Sequence, residues 1–266
     1  MEAIKTNIKS AIGTMLRVNF ALILRETKTR YGRLQIGYIW AFLEPILIVA
    51  VLSFVFTYIR MKNIPGLPLV QFLMTGYISF MLFRDIVIQT MMGVRRNLQL
   101  LYFPQVQVID IFTARTLLEF STTLIVFPIL IFLVSFTGIE EVTVKDPLGI
   151  LVGFSLISIY SFGIGAGLGA LIPLFPSLQI LVTTVFMRPM FFLSGVFFTI
   201  EMLPESVKPY AALNPMLQFI EIIRSSYFIN YESNWVDIPY LFTVITLTLL
   251  IGLLLQKALR RHAFKL

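Results

Sequence analysis

The chain has 266 residues, of which 58% are hydrophobic and only 13% charged. A soluble domain is about a quarter charged, so too few polar side chains remain here to cover a water-facing surface. Cysteine is absent and His262 is the single histidine, which excludes disulfides, thiol catalysis, histidine or cysteine metal clusters and a Ser/His/Asp triad.

Residues 1–33 are polar and basic, without the short apolar core of a signal peptide. Ile4, Ile8, Ile12, Leu16, Phe20 and Leu24 recur at helical spacing with Lys and Arg between them. That pattern predicts an amphipathic helix lying at a membrane interface. Beyond it, a spanning helix needs about 20 predominantly apolar residues. Apolar windows of that length predict spans at about 36–59, 68–92, 112–136, 148–172, 178–199 and 238–257. The uncharged run 147–187 is too long for one span, and Pro173, Pro176 and Ser177 divide it into a helical hairpin. These runs do not alternate as barrel strands do, so the expected class is an all-α integral membrane protein with six transmembrane helices. Residues 1–33 form the interface helix and residues 34–260 the transmembrane domain. The segment 200–236, between spans five and six, is rich in Pro and aromatics, and its apolar stretches are too short to span. It is expected to form re-entrant or interfacial helices.

Charge sets the expected orientation. Lys5, Lys9, Arg17, Arg25, Lys28, Arg30 and Arg33 precede span one. Arg95 and Arg96 follow span two, and Lys257, Arg260, Arg261 and Lys265 close the chain. All three segments share one side of a six-span protein, so both termini are cytoplasmic by the positive-inside rule. The net charge of +7 is then a topology signal, and nucleic-acid binding is not needed to explain it. Tyr58, Trp235 and Tyr240 fit an interfacial aromatic belt.

No GxxxxGK[ST] phosphate loop occurs, so the chain is not read as an ATPase. Gly163, Gly165, Gly167 and Gly169 give two overlapping GxxxG spacings inside span four, a pattern for close helix approach. Glu44-Pro45 in span one and Arg188-Pro189 in span five lie at similar depth from the basic side. Charges inside spans are costly and mark function or pairing. Either Glu44 and Arg188 form a structural ion pair, or Arg188 faces an anionic substrate. Arg84 and Asp85, being adjacent, are expected on different faces as interface residues. No repeat relates the two halves, so an inverted-repeat transporter is not indicated. A membrane enzyme acting on lipid-linked sugars is the rival class. It needs acidic or basic residues clustered at one face, and Asp85 and Asp110 form no close metal-binding pair.

Residues 25–45 read RETKTRYGRLQIGYIWAFLEP. This resembles the signature at the start of ABC-2 type permeases that export polysaccharides: a basic approach, R-[YF], a Gly, then W-A ahead of a Pro. Tyr102, Pro104, Asp110, Ala114, Arg115 and Glu119 match a Y-x-P…D-x-x-x-A-R-x-x-x-E pattern of the same family, and SGVFF at 194–198, Leu203-Pro204 and Asn214-Pro215 match its later part. The resemblance runs from about residue 20 to 260. The Glu-Pro and basic-Pro pairs look most like the membrane subunit of group 2 capsular polysaccharide exporters. O-antigen and teichoic-acid permeases, the alternatives, more often carry an uncharged residue before the first proline.

The resemblance implies an inner-membrane homodimer with two separate ATP-binding cassette subunits, which hold the ATP and Mg, so that this chain binds no cofactor or metal. It implies coupling to those ATPases through Arg25, Arg30, Tyr31, Arg95, Arg96, Tyr102 and Pro104. The substrate is implied to be an undecorated or lipid-terminated capsular polysaccharide whose path passes Glu44, Arg188, Trp40 and Tyr38. An external gate at Phe197, Phe198, Asn214 and Pro215, and onward partners in the periplasm and outer membrane, complete the expectation.

Overall fold

A computed structural model describes residues 13, 17–27, 36–58, 67–103, 105–138 and 140–263. Among them the chain is helical, with no strand. Helix α1 covers 17–27, α2 Ile36–Tyr58, α3 Leu69–Met91, α4 Val108–Thr137, α5 Pro147–Leu171, α6 Leu178–Leu193, α7 Pro215–Tyr227 and α8 Ile238–Ala263. Helices α3, α4, α5 and the Ile238–Leu259 part of α8 are long and apolar enough to cross a membrane. Phe42–Tyr58 in α2 and Leu178–Leu193 in α6 are shorter apolar helices. The part of the predicted interface helix before residue 17, Gly13 apart, lies outside the described residues.

Helix boundaries follow local chemistry. At α4, the Gln107 and Asp110 side chains and backbones bond reciprocally as a capping box, which satisfies two amides that lack helical partners. Gly138 then ends α4 at φ 64°, a left-handed conformation that favours glycine. Asp146 caps α5 and Asn214 caps α7, each followed by proline in the first helical position. The start of α3 is capped from a distance: the Glu140 carboxylate accepts from the amides of Val70 at 3.0 Å and Gln71 at 3.2 Å. A negative group is favoured there by the helix dipole.

Helix α6 departs from the expected 178–199 span. It widens to π-helical geometry over Leu181–Phe186, just before Pro189, whose missing amide and ring disturb the preceding turn. It ends at Leu193, and Gly195 at φ 77° redirects the chain.

Helix α5 is the centre of the bundle and contacts α3, α4, α7 and α8. Its glycines serve different neighbours. A Cβ on Gly163 would lie 2.8 Å from the backbone of α8, and one on Gly252 of α8 would lie 2.3 Å from the Gly163 carbonyl. A Cβ on Gly165 would meet Thr90 at 2.7 Å, and one on Gly169 would meet Phe112 at 2.9 Å. The close approach predicted from the spacing is therefore present, split between α8 on one face and α3 with α4 on another. Gly153 admits Ile223 of α7 in the same way. Helix α7 has 13 residues, about 20 Å at 1.5 Å per residue, and is held within the bundle: Met216, Leu217, Phe219, Ile220, Ile223 and Tyr227 are fully buried.

Candidate functional site

Three polar clusters interrupt the apolar bundle. The first lies where α1 meets the start of α4. Leu22 packs on Ile111 and Ala114, and the Thr113 hydroxyl donates to the Asn19 side chain at 2.7 Å. This docking brings Glu26 to Arg115, which donates from Nη2 to both carboxylate oxygens at 3.0 Å. Arg115 also reaches Gln89 of α3 at 2.9 Å, and Arg96 reaches the same oxygen at 2.7 Å. Asn97 donates to Glu26 at 3.1 Å and accepts from Arg25 at 3.0 Å. A cavity of about 370 Å³ opens among Arg25, Glu26, Gln89, Arg96, Arg115 and Glu119. Burial of a pair is tolerable because charge and hydrogen bonds are both matched.

Of the residues expected to couple to an ATPase, Arg25 and Arg96 belong to this cluster. Arg95 is exposed on the Gly93–Arg96 turn, and Tyr102 is 86% exposed at the end of the Leu98–Tyr102 turn. Arg30, Tyr31 and Pro104 lie outside the described residues. Glu26, Gln89 and Asn97 were not singled out by the sequence. The adjacent motif residues Arg115 and Glu119 were, without a partner for either.

The second cluster joins α2 to α3. Arg84 of α3 lies 2.9 Å from Asp85 and 3.6 Å from Glu44 of α2. This corrects two expectations. Arg84 and Asp85 bond each other, because the long arginine folds back across the helix surface. Within one chain the partner of Glu44 is Arg84, because α2 packs on α3. Arg188 instead points away from the bundle, exposed on α6, with no ion pair among the described residues. Trp40 is 58% exposed on α2. The side chain of Tyr38 lies outside the described set.

The third cluster is at the far end. Arg224 of α7 has 0% exposure. Its Nη1 donates to Phe198 O at 2.9 Å, and its Nη2 to Val196 O at 3.1 Å and Phe72 O at 3.5 Å. The guanidinium lies 3.6 Å above the Phe72 ring. A Cβ on Gly76 would sit 2.7 Å from that guanidinium, so this glycine makes the room. Glu221, one turn before Arg224, accepts from the Ile200 amide at 3.2 Å and from the Tyr231 hydroxyl. Together these hold the 194–200 segment. Phe197 stacks on Phe56 of α2 at 5.4 Å and meets Phe191 edge-on at 5.0 Å. Asn214 ties Leu193 O to the start of α7, and Pro215 opens that helix. The four expected gate residues are thus brought around one segment. Arg224 and Glu221 were missed, although two charges three apart in the apolar run 210–228 were the available signal. Nearby, Lys208 bonds Glu205 at 2.6 Å and Glu201 at 3.3 Å. The Glu205 carboxylate foremost holds the ammonium above the usual lysine range.

The family model described as "ABC-2 type transporter" matches residues 17–228. The chain is 32% identical to the polysialic acid transport protein KpsM of Escherichia coli, covering 89% of this chain and 91% of that protein. It is 32% identical to the capsule polysaccharide export inner-membrane protein CtrC of Neisseria meningitidis, over 95% of this chain and 94% of the relative. With the capsule polysaccharide export inner-membrane protein BexB of Haemophilus influenzae it shares 30% identity over 95% of each chain.

Proposed function

From the premise that this chain belongs to the ABC-2 type transporter family, we propose that it is the membrane permease subunit of an ATP-driven exporter of capsular polysaccharide. The observation that carries this reading is near end-to-end similarity, at about 30% identity, to two proteins named for capsule polysaccharide export at the inner membrane and one named for polysialic acid transport. The chain is a multi-pass inner-membrane protein. Six spans with both termini in the cytoplasm agree with the helices and with the Lys and Arg distribution. Helix α7 is then re-entrant from the outer side.

Energy comes from a separate ATPase, of which two copies dock on the α1 end of a permease homodimer. The cluster of Arg25, Glu26, Gln89, Arg96, Asn97 and Arg115 supports that role. It joins the surface helix α1 to α3 and α4, so motion imposed on α1 reaches the spans as a rigid-body shift. Phe197, Phe198, Asn214 and Pro215 close the outer end. The polymer crosses without any change in its bonds and is handed to periplasmic and outer-membrane partners.

In cells that carry the chain, deleting it is expected to abolish surface capsule while polymer accumulates inside. Purified alone, the chain is expected to hydrolyse no ATP. Surface capsule that is unaffected by the deletion, or steady hydrolysis by the isolated chain, sinks the proposal.

A further inference from the structure

The cavity where α1 meets α3 and α4 is lined by more positive charge than negative. Among the described residues, the guanidiniums of Arg25, Arg96 and Arg115 border it against the carboxylates of Glu26 and Glu119. Both oxygens of Glu26 accept from Arg115, and one accepts from Asn97 as well. Glu119 is the lining residue furthest along α4 and also borders a small cavity beside Asp85, so it forms the deep wall. Arg96 and Arg115 converge on the Gln89 carbonyl oxygen, at 2.7 and 2.9 Å. Two donors hold that oxygen between them, yet a carboxamide carries no charge. Two cations thus share a neutral acceptor. Arg115 is 6% exposed, and its Nε is buried with no hydrogen-bond partner among the described residues. An unpaired buried donor is unfavourable, the more so on a charged group.

The cavity also lies at a definite depth. Helix α4, about 45 Å long, exceeds a hydrocarbon layer of about 30 Å, so roughly its first five residues stand in the headgroup layer. Arg115 follows about half a turn further in, and Arg96 and Asn97 lie just past the end of α3. The opening therefore faces the level of the lipid phosphates in the leaflet on the α1 side. Leu24 and Leu98, the sequence neighbours of Arg25 and Asn97, are 49% and 47% exposed, which offers apolar surface beside the charged one.

We infer that this cavity binds a phosphate group, held by Arg96 and Arg115, which supplies the negative charge that Gln89 lacks. Guanidinium forks match phosphate oxygens in pairs, and basic pockets between spans suit anionic headgroups. An anionic phospholipid of that leaflet and free phosphate present the same group. Bound there, it fastens α1 to α3 and α4 by charge, so its occupancy sets how firmly the surface helix is held. The inference rests on the membrane placement of these helices and not on the polymer exported.

The permease, purified with its ATPase subunit and stripped of lipid in detergent, is titrated with three compounds: phosphatidylglycerol, diacylglycerol bearing the same chains, and inorganic phosphate. Native mass spectrometry counts bound lipid, and thermal unfolding follows all three. Phosphatidylglycerol is expected to bind and to raise the unfolding temperature, and diacylglycerol is not. Inorganic phosphate that reproduces the rise identifies the free anion as sufficient, and a rise that needs the chains identifies the lipid. Gln89→Glu places the missing charge within the protein. It is expected to raise the unfolding temperature without lipid and to weaken phosphatidylglycerol binding by about tenfold or more, the worth of one hydrogen bond to a charged group. Arg96→Gln is expected to weaken binding to a similar degree without that rise. If Gln89→Glu does not assemble, Arg96→Gln, at an exposed position, carries the comparison. Equal stabilisation by diacylglycerol, or phosphatidylglycerol binding unchanged by the substitutions, overturns the inference. A native complex that takes up neither phosphate compound, and that loses the ATPase on Gln89→Glu, assigns the cavity to an acidic side chain of that subunit and refutes the phosphate site.

Discussion

Arg224 donates to three backbone carbonyls and lies flat on the Phe72 ring. A lysine, a point charge on a flexible stem, reproduces neither arrangement. Arg224→Lys is therefore expected to release the 194–200 segment while α3 and α5 stay folded. Limited proteolysis from the outer side should detect a new cleavage there, and the native digestion pattern in the variant would refute the clamp. Arg115→Ala removes the cation from the buried Glu26 carboxylate and leaves it the Asn97 amide, and breaking a buried pair costs about 3–5 kcal/mol. The unfolding temperature in detergent should fall sharply, and Glu26→Gln in the same chain should recover part of the loss. Arg115 was visible in the sequence as part of a spaced pattern, but its partner lies 89 positions away. Only the docking of α1 brings them together. That the sequence offered Arg188 and not Arg84 as a pairing candidate for Glu44 within one chain has a similar cause. Counting residues along a helix gives depth, not the direction a side chain takes around the axis, so Arg188 and Arg84 were equal candidates by depth.

At the scale of elements, the glycines of α5 show what spacing encodes. Residues two apart on a helix point about 200° from each other, so Gly163 and Gly165 necessarily serve opposite neighbours. That split was implicit in the run of alternating glycines, but the identities of α8 and α3 as neighbours were not. The contacts differ in tolerance. A Cβ on Gly252 would lie 2.3 Å from the Gly163 carbonyl, whereas one on Gly167 would lie 3.4 Å from Gly252 Cα. Gly252→Ala is expected to destabilise the protein by about 1–3 kcal/mol, as overpacking usually does, and Gly167→Ala much less. Thermal unfolding of the two variants in the same detergent tests the order, and equal losses would contradict it. The end of α6 was less legible. Hydropathy continues to residue 199, but Pro189 and Gly195 act on the backbone, to which a hydropathy window is blind.

For the molecule as a whole, composition and long apolar runs without alternation were enough to predict a helical membrane protein, because those properties sum over many residues and survive local error. The polar clusters were not predictable in that way, since each joins segments distant in sequence. Helix α4 links the first of these clusters to the start of α3. It starts beside the Glu26–Arg115 pair and runs for 30 residues, about 45 Å. Two residues beyond its terminal Gly138, Glu140 grips the first amides of α3. Helix α3 then returns to the starting end, where Gln89 accepts from Arg115. The two helices and their two clasps form a closed mechanical loop. A force applied to α1 therefore cannot slide α4 alone: it must tilt α4 and α3 together as a single lever, and the stroke at the far end scales with their length rather than with the small displacement at the near one.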